Sequence, residues 1–232
     1  MLEKIDSSSM GKSNNDWLKS IHHFSFGDYY NPERNGFGVL KVVNDDIVKS
    51  QEGFDFHPHK NMEIISYVVN GKLTHKDNIG NESTVERGET QYMSAGKGIF
   101  HSEYNNNDEK LRFLQIWIEP DKKGHNVNYG DYKFDWKYRK NKWFHLVSQK
   151  DGLAPIKINQ DVNIYVIELE TEKQIDCKVE DDRQAYLIQI EGKSNINNIN
   201  FKQRDALKII EEEICIKALL KSHILVVEMK KA

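Results

Sequence analysis

The apolar segments of this chain are short and are cut at even spacing by turn signals, which limits the fold more than any other feature. Gly36 to Val43 ends at Asn44-Asp45-Asp46, and Leu111 to Ile118 ends at Glu119-Pro120. Met62 to Val69 runs into Asn70-Gly71, a strong hairpin signal because both residue types tolerate positive φ. A hairpin onto Lys72 to Lys76 is therefore expected, with a second turn at Asp77 to Asn81. Strand-like segments resume at residues 143–148, 163–169, 185–191, 206–210, 214–220 and 223–229. Short strands with little helical periodicity predict an all-β sandwich or barrel architecture.

With 232 residues, one large β domain or two barrels of about 110 residues each are possible. A faint internal repeat favours two. The strand entering Asn70-Gly71-Lys72 is echoed by Tyr186 to Ile190 entering Glu191-Gly192-Lys193, and Arg87-Gly88-Glu89 loosely by Arg204-Asp205. Between the halves, Gly, Asn, Asp and Lys cluster with scattered aromatics (Tyr129, Tyr132, Phe134, Trp136, Tyr138). The expected division is a first barrel over residues 1–125, a linker over 126–142 and a second barrel over 143–232.

Charge and composition exclude several function classes. The net charge is -3 with acidic and basic residues interleaved, unlike the concentrated positive field of a nucleic-acid-binding surface. No apolar run approaches the roughly 20 residues of a membrane span. The N-terminus, MLEKIDSSSMGKSNNDW, lacks the apolar core of a secretory signal, so a cytoplasmic location is expected. Cys177 and Cys215 stand far apart and outside any CxxC pattern. They read as two buried thiols in a reducing compartment.

Chemistry concentrates in two short stretches, Phe56-His57-Pro58-His59 and Ile99-Phe100-His101-Ser102-Glu103. Residues two apart on a strand share a face. His57 and His59 thus present two imidazoles together, and His101 with Glu103 presents an imidazole and a carboxylate. An HxH strand by itself is as readily a polar surface or a satisfied core pair. If the two strands face each other, three neutral nitrogens and one carboxylate suit a divalent first-row metal and leave exchangeable positions.

Several motifs extend this pattern: His57-Pro58-His59-Lys60-Asn61-Met62-Glu63, Gly88-Glu89 through Met93-Ser94-Ala95-Gly96, and His101-Ser102-Glu103. With His23-Phe24-Ser25-Phe26-Gly27-Asp28-Tyr29-Tyr30, His75-Lys76-Asp77 and Leu114-Gln115-Ile116-Trp117-Ile118-Glu119-Pro120, they make residues 17 to 120 resemble the pirin branch of the cupin superfamily, most of all its bacterial quercetinase-like subgroup. The likeness is thinner in the C-terminal half. The resemblance implies an all-β bicupin of two jelly-roll β-barrels and one metal ion, held in the first by His57, His59, His101 and Glu103. Iron is the first expectation, with copper, nickel, cobalt, manganese or zinc as alternatives. It also implies dioxygenation of a flavonol-like aromatic substrate with O2, Glu103 taking the substrate's hydroxyl proton, in a chain that is a monomer; from the charge and apolar patterning above, neither nucleic-acid nor membrane binding is expected. The rival function is a non-enzymatic metal-binding regulator that docks on another protein.

Registering Gly192 on Gly71 places Lys178 and Glu180 where the HxH pair would stand, so the second barrel is expected to lack a metal. Glu63 shares strand parity with His59 and is expected just behind the ligands, orienting them. His75 is placed either at the site mouth or on a solvated strand. Tyr92, Met93, Phe100 and Trp117 are candidates for an apolar pocket wall or for core packing. Lys60, Arg87 and Lys97 are expected on solvated turns.

Overall fold

A computed structural model describes residues 1–231, which divide into two compact units. Twenty strands make up nearly all the regular structure of the described residues. β1 is Leu2–Ile5, β2 Gly11–Asn14, β3 Leu18–His22 and β4 Leu40–Val48. Then come β5 (Glu52–His59), β6 (Glu63–Asn70), β7 (Lys72–Asp77) and β8 (Glu82–Glu86). β9 is Thr90–Ser94, β10 Ile99–Asn105, β11 Leu111–Ile118 and β12 Asn128–Tyr132. Later in the chain lie β13 (Phe144–Gln149), β14 (Ile156–Ile158), β15 (Val162–Leu169) and β16 (Gln174–Lys178). β17 (Arg183–Ile196), β18 (Ile199–Lys202), β19 (Ala206–Ile210) and β20 (Glu213–Lys230) complete the set.

The first unit comprises Gly11–Phe134 with Ile158–Gln160. Its seven-stranded sheet runs β12-β9-β6-β11-β4-β3-β2, and its four-stranded sheet runs β5-β10-β7-β8. Val48, Val68, Leu111 and Phe113 from the larger sheet pack with Leu73 and Val85 from the smaller one. No strand pairing joins the two sheets among the described residues, so the expected barrel is a jelly-roll-like sandwich with open seams. Such packing buries the inner face of each sheet, the main stabilising term for a domain of this size.

The expected hairpin at Asn70-Gly71 is a corner instead. Both edges of β6 are already paired, to β9 and β11, so β7 cannot return alongside it and joins the other sheet. Gly71 has φ +78°, and a Cβ there would lie 2.9 Å from the Leu111 Cα. Only glycine makes that crossing without strain. The following turn is a true hairpin, β7 pairing β8, with Asp77 Oδ1 accepting from the Ile79 and Asn81 amides.

The second unit holds Met1–Met10, Asp135–Lys157 and the chain from Asp161 onward. Its strands follow the order β1-β19-β17-β20-β15-β13-β14, with β16 also on β20 and β18 on β17. β17 and β20 are long and pair throughout, but their register slips near Gly192, where Gly192 adopts φ +82°. β17 pairs β19 before that point and β18 after it. Ile167, Leu187, Ile209, Ile216 and Val226 lie in its core.

Two boundaries differ from the expected ones. Residues 1–10 lie in the second unit because β1 pairs β19. Residues 126–134 are not linker: β12 adds to the edge of β9, and the units change between Phe134 and Asp135. Short aromatic segments in polar surroundings read as linker because an edge strand needs an apolar side chain on only one face. Cys177 and Cys215 are free and only partly buried. Cys177 pairs Ile214 while Asp176 pairs Cys215, so the two thiols leave opposite faces of the sheet. Burial pushes the Cys177 thiol up to about 11.

Candidate metal centre

β5 forms an edge of the four-stranded sheet, paired only to β10. An edge strand tolerates Pro58, which has no N–H to give. The register sets His101 opposite His57 and Ile99 opposite His59, with a bulge between His101 and Glu103. The three rings converge. Centroids lie 4.8 Å apart for His57 and His59, 4.5 Å for His57 and His101, and 4.9 Å for His59 and His101. One nitrogen from each lies within 4.8 Å of the others, a group that can hold a metal ion.

Hydrogen bonding presents these nitrogens to a cation. His57 Nδ1 lies 2.7 Å from the Asp55 carbonyl oxygen; it must donate there, which leaves Nε2 with its lone pair. His101 is fully buried, and its Nε2 has no hydrogen-bond partner. An unpartnered buried nitrogen costs stability, and a metal ion satisfies it. The Trp117 ring meets His59 edge-on at 4.8 Å. Burial lowers the His59 pKa to about 4, helped by the nearby His57. Burial lowers His101 to about 2, helped by His57, His59 and His75. Both rings are therefore neutral at physiological pH, the form that ligates.

Glu103 is also buried, but it stands outside this group of three. Its Oε1 accepts from Ser66 Oγ at 2.7 Å and Gln91 Nε2 at 3.0 Å, and its Oε2 from Gln115 Nε2 at 2.5 Å. Gln115 is fixed in turn by accepting from Trp117 Nε1 at 3.0 Å. Burial raises the Glu103 carboxyl to about 7, against those three donors.

Glu63 does not sit behind the ligands. Its oxygens accept from Tyr92 Oη and Ser94 Oγ, both at 2.7 Å, and from the Asn159 amide and side chain. Ser66, an odd number of residues along β6, faces Glu103 instead. Counting in twos from His59 fails because Asn61 turns with φ +51° and the chain changes sheets between β5 and β6. Tyr92 shares the Glu63 face and is no pocket wall. Met93 and Trp117 lie on the site side, packed with Ile64, Ala95 and Ile99. Phe100 is half exposed. Lys60, Arg87 and Lys97 are exposed.

His75 is neither at a mouth nor solvated: it is fully buried, its ring 5.3 Å from that of His101. Ser66, Gln91 and Gln115 escaped the sequence reading. The available signal was a polar residue beside apolar ones in the interior of each of three strands, EIISYVVN, TQYMS and LRFLQIWI.

The second unit offers no comparable group among the described residues. Lys178 and Glu180 form an exposed ion pair at 2.7 Å. A cavity of about 600 Å³ there is lined by Trp143, Tyr165, Cys177 and Arg183 with several carboxylates, and no histidine lines it.

Comparisons with known proteins match the two halves of the chain to separate family models. The Pirin family model matches residues 5–118, and the model for the quercetinase C-terminal cupin domain matches residues 145–229. Quercetin 2,3-dioxygenase of Escherichia coli K12 is 38% identical over 205 residues, 88% of this chain and 87% of that protein. A pirin-like protein of Caulobacter vibrioides is 36% identical over 215 residues, 92% of this chain and 93% of its own length. The solved structure of the bacterial pirin YhhW from Escherichia coli in complex with nickel(II) superposes with a TM-score of 0.92 at 35% identity, covering 100% of both chains. With relatives this similar across nearly its whole length, and with a histidine triad on the first of two cupin units, the chain belongs to the pirin family.

Proposed function

We propose that this protein is a metal-dependent dioxygenase of flavonols, with His57, His59, His101 and Glu103 as its ligand set. The observation that carries this reading is the triad itself: three imidazoles, each with a nitrogen within 4.8 Å of the others, one with a buried, unpartnered Nε2. A transition ion there, with iron as our first choice, would supply the electrophilic, redox-active centre at which a flavonol and O2 meet. The name of the Escherichia coli relative, quercetin 2,3-dioxygenase, supports the substrate class.

The protein's own residues would bind, orient and move a proton. Partly buried Trp117, packed on the buried Ile64, Met93 and Ile99 and edge-on to His59, offers an apolar face suited to an aromatic ring. Glu103 would accept the flavonol hydroxyl proton on a carboxylate oxygen. Its pKa of about 7 suits a base working at neutral pH, and the hydrogen bonds from Ser66, Gln91 and Gln115 hold its geometry. A cation at the histidines would favour the ionised carboxylate, leaving it ready to accept.

The test is oxygen uptake with quercetin by protein loaded separately with iron, copper, nickel, cobalt or manganese. Uptake with at least one ion, lost in His57→Ala, is expected. No uptake with any ion, in protein shown to carry it, would remove the dioxygenase reading.

A further inference from the structure

We propose that His75 and Asp77 are a positioning pair that fixes the ring tautomer of His101, so that its Nε2 is the atom offered to the metal. This inference rests on the triad reading above and adds two residues to it.

The proton positions follow from the partners. Asp77 Oδ2 accepts from Asn81 Nδ2 at 2.7 Å and lies 3.3 Å from His75 Nε2. A carboxylate has no proton to give, so His75 Nε2 is the donor. With its ring hydrogen on Nε2, His75 has its lone pair on Nδ1. That Nδ1 lies 3.4 Å from His101 Nδ1, so the His101 Nδ1 carries the hydrogen. His101 Nε2 is then a lone pair with no partner in the protein. His57 reaches the same state by a different route, through the Asp55 carbonyl.

The fold holds the pair in place. Glu103 sits opposite His75 and His101 opposite Asp77 in the β10–β7 register. Tyr129 of β12 stacks on the His75 ring at 4.2 Å and 14°, and its hydroxyl hydrogen-bonds Ser83. Edge strand β12 thereby reaches the metal centre through one ring. A merely structural histidine would have no need of an imidazole acceptor aligned on a second imidazole. Metal-ligating histidines commonly donate the second ring N–H to an outer partner, and losing that partner costs about 10–100-fold in metal affinity.

Long-range proton–nitrogen NMR on the zinc-free protein should show His101 protonated on Nδ1 and His75 on Nε2. In zinc titrations, His75→Phe keeps the stack on Tyr129 but removes the acceptor, and should bind about 10–100-fold more weakly. His75→Gln, whose amide oxygen can accept from His101, should recover most of that loss. His101 protonated on Nε2, or equal zinc affinity in the Phe and Gln variants, would overturn the proposal. The triad is judged separately: zinc retained at wild-type affinity in His57→Ala and His59→Ala would sink that reading, whatever tautomer His101 adopts.

Discussion

Glu103→Gln separates catalysis from folding because the structure makes its effect on stability small. With a carboxamide in place of the carboxylate, the amide oxygen keeps the bonds from Ser66 and Gln91, and the new NH2 faces the Gln115 NH2. Gln115 cannot simply flip, since its own oxygen accepts from Trp117. Two buried donors then confront each other, a cost of about 1–3 kcal/mol. Against this, the substitution removes a carboxylate whose pKa burial raises from 4.5 to about 7, a penalty on the order of 3 kcal/mol at neutral pH in the metal-free protein. The two effects nearly cancel, and the melting temperature of the metal-free variant should change little. Activity should not survive in the same way. A neutral amide accepts no proton, and losing a positioned base costs about 10²–10⁴-fold in rate. Oxygen uptake with quercetin, metal content and melting temperature, measured on one preparation, test all three expectations. Turnover within about tenfold of wild type at equal metal content would show that Glu103 is not the base.

Three further outcomes follow from other parts of the same unit. Glu63→Ala strands four hydrogen-bond donors, on Tyr92, Ser94 and Asn159, and should cost about 3 kcal/mol or more in urea unfolding; metal loss at unchanged stability would return Glu63 to the site. Asp46 is buried with Oδ1 unpartnered, and burial raises its pKa from 3.8 to about 7, aided by Asp45 and Glu103 and opposed by Ser20. Between those values the native state holds a proton that the unfolded chain has released, so stability falls as pH rises. Asp46→Asn should therefore gain on wild type by on the order of 4 kcal/mol between pH 4 and pH 8; a difference flat across that range would refute the buried-acid account. Elemental analysis should find one ion per chain, removed by His57→Ala with little change in melting temperature of the metal-free form; two tightly bound ions would refute the single site.

The three histidines were legible because they lie within two strands, where a period of two holds and side chains two apart share a face. Glu63 was misread where that rule stops. Asn61 turns with positive φ and the chain passes from the four-stranded to the seven-stranded sheet, so parity carried from His59 has no meaning at Glu63. His75 was left open because its burial depends on β12 supplying Tyr129 from a segment that reads as linker. Ser66, Gln91 and Gln115 act on one carboxylate from three separate strands. Local patterning cannot place them together; only the sheet order β9-β6-β11 does.

The faint repeat between the halves shows which features the fold demands and which it leaves free. Gly71 and Gly192 both have positive φ, and both pack against another strand's backbone: a Cβ would lie 2.9 Å from the Leu111 Cα in one case and 2.8 Å from the Ser222 Cα in the other. Each marks the place where the chain passes from one set of strand partners to another, so any side chain there would push a neighbouring strand away. The ligand positions carry no such constraint. Fourteen and twelve residues before each glycine, the first unit has His57 and His59, and the second has Lys178 and Glu180, paired to each other in solvent. An edge strand whose side chains face outward or into an open seam accepts either set at little cost to packing. The corner glycine is therefore a condition of the fold, while the histidine triad is confined to the first unit among the described residues.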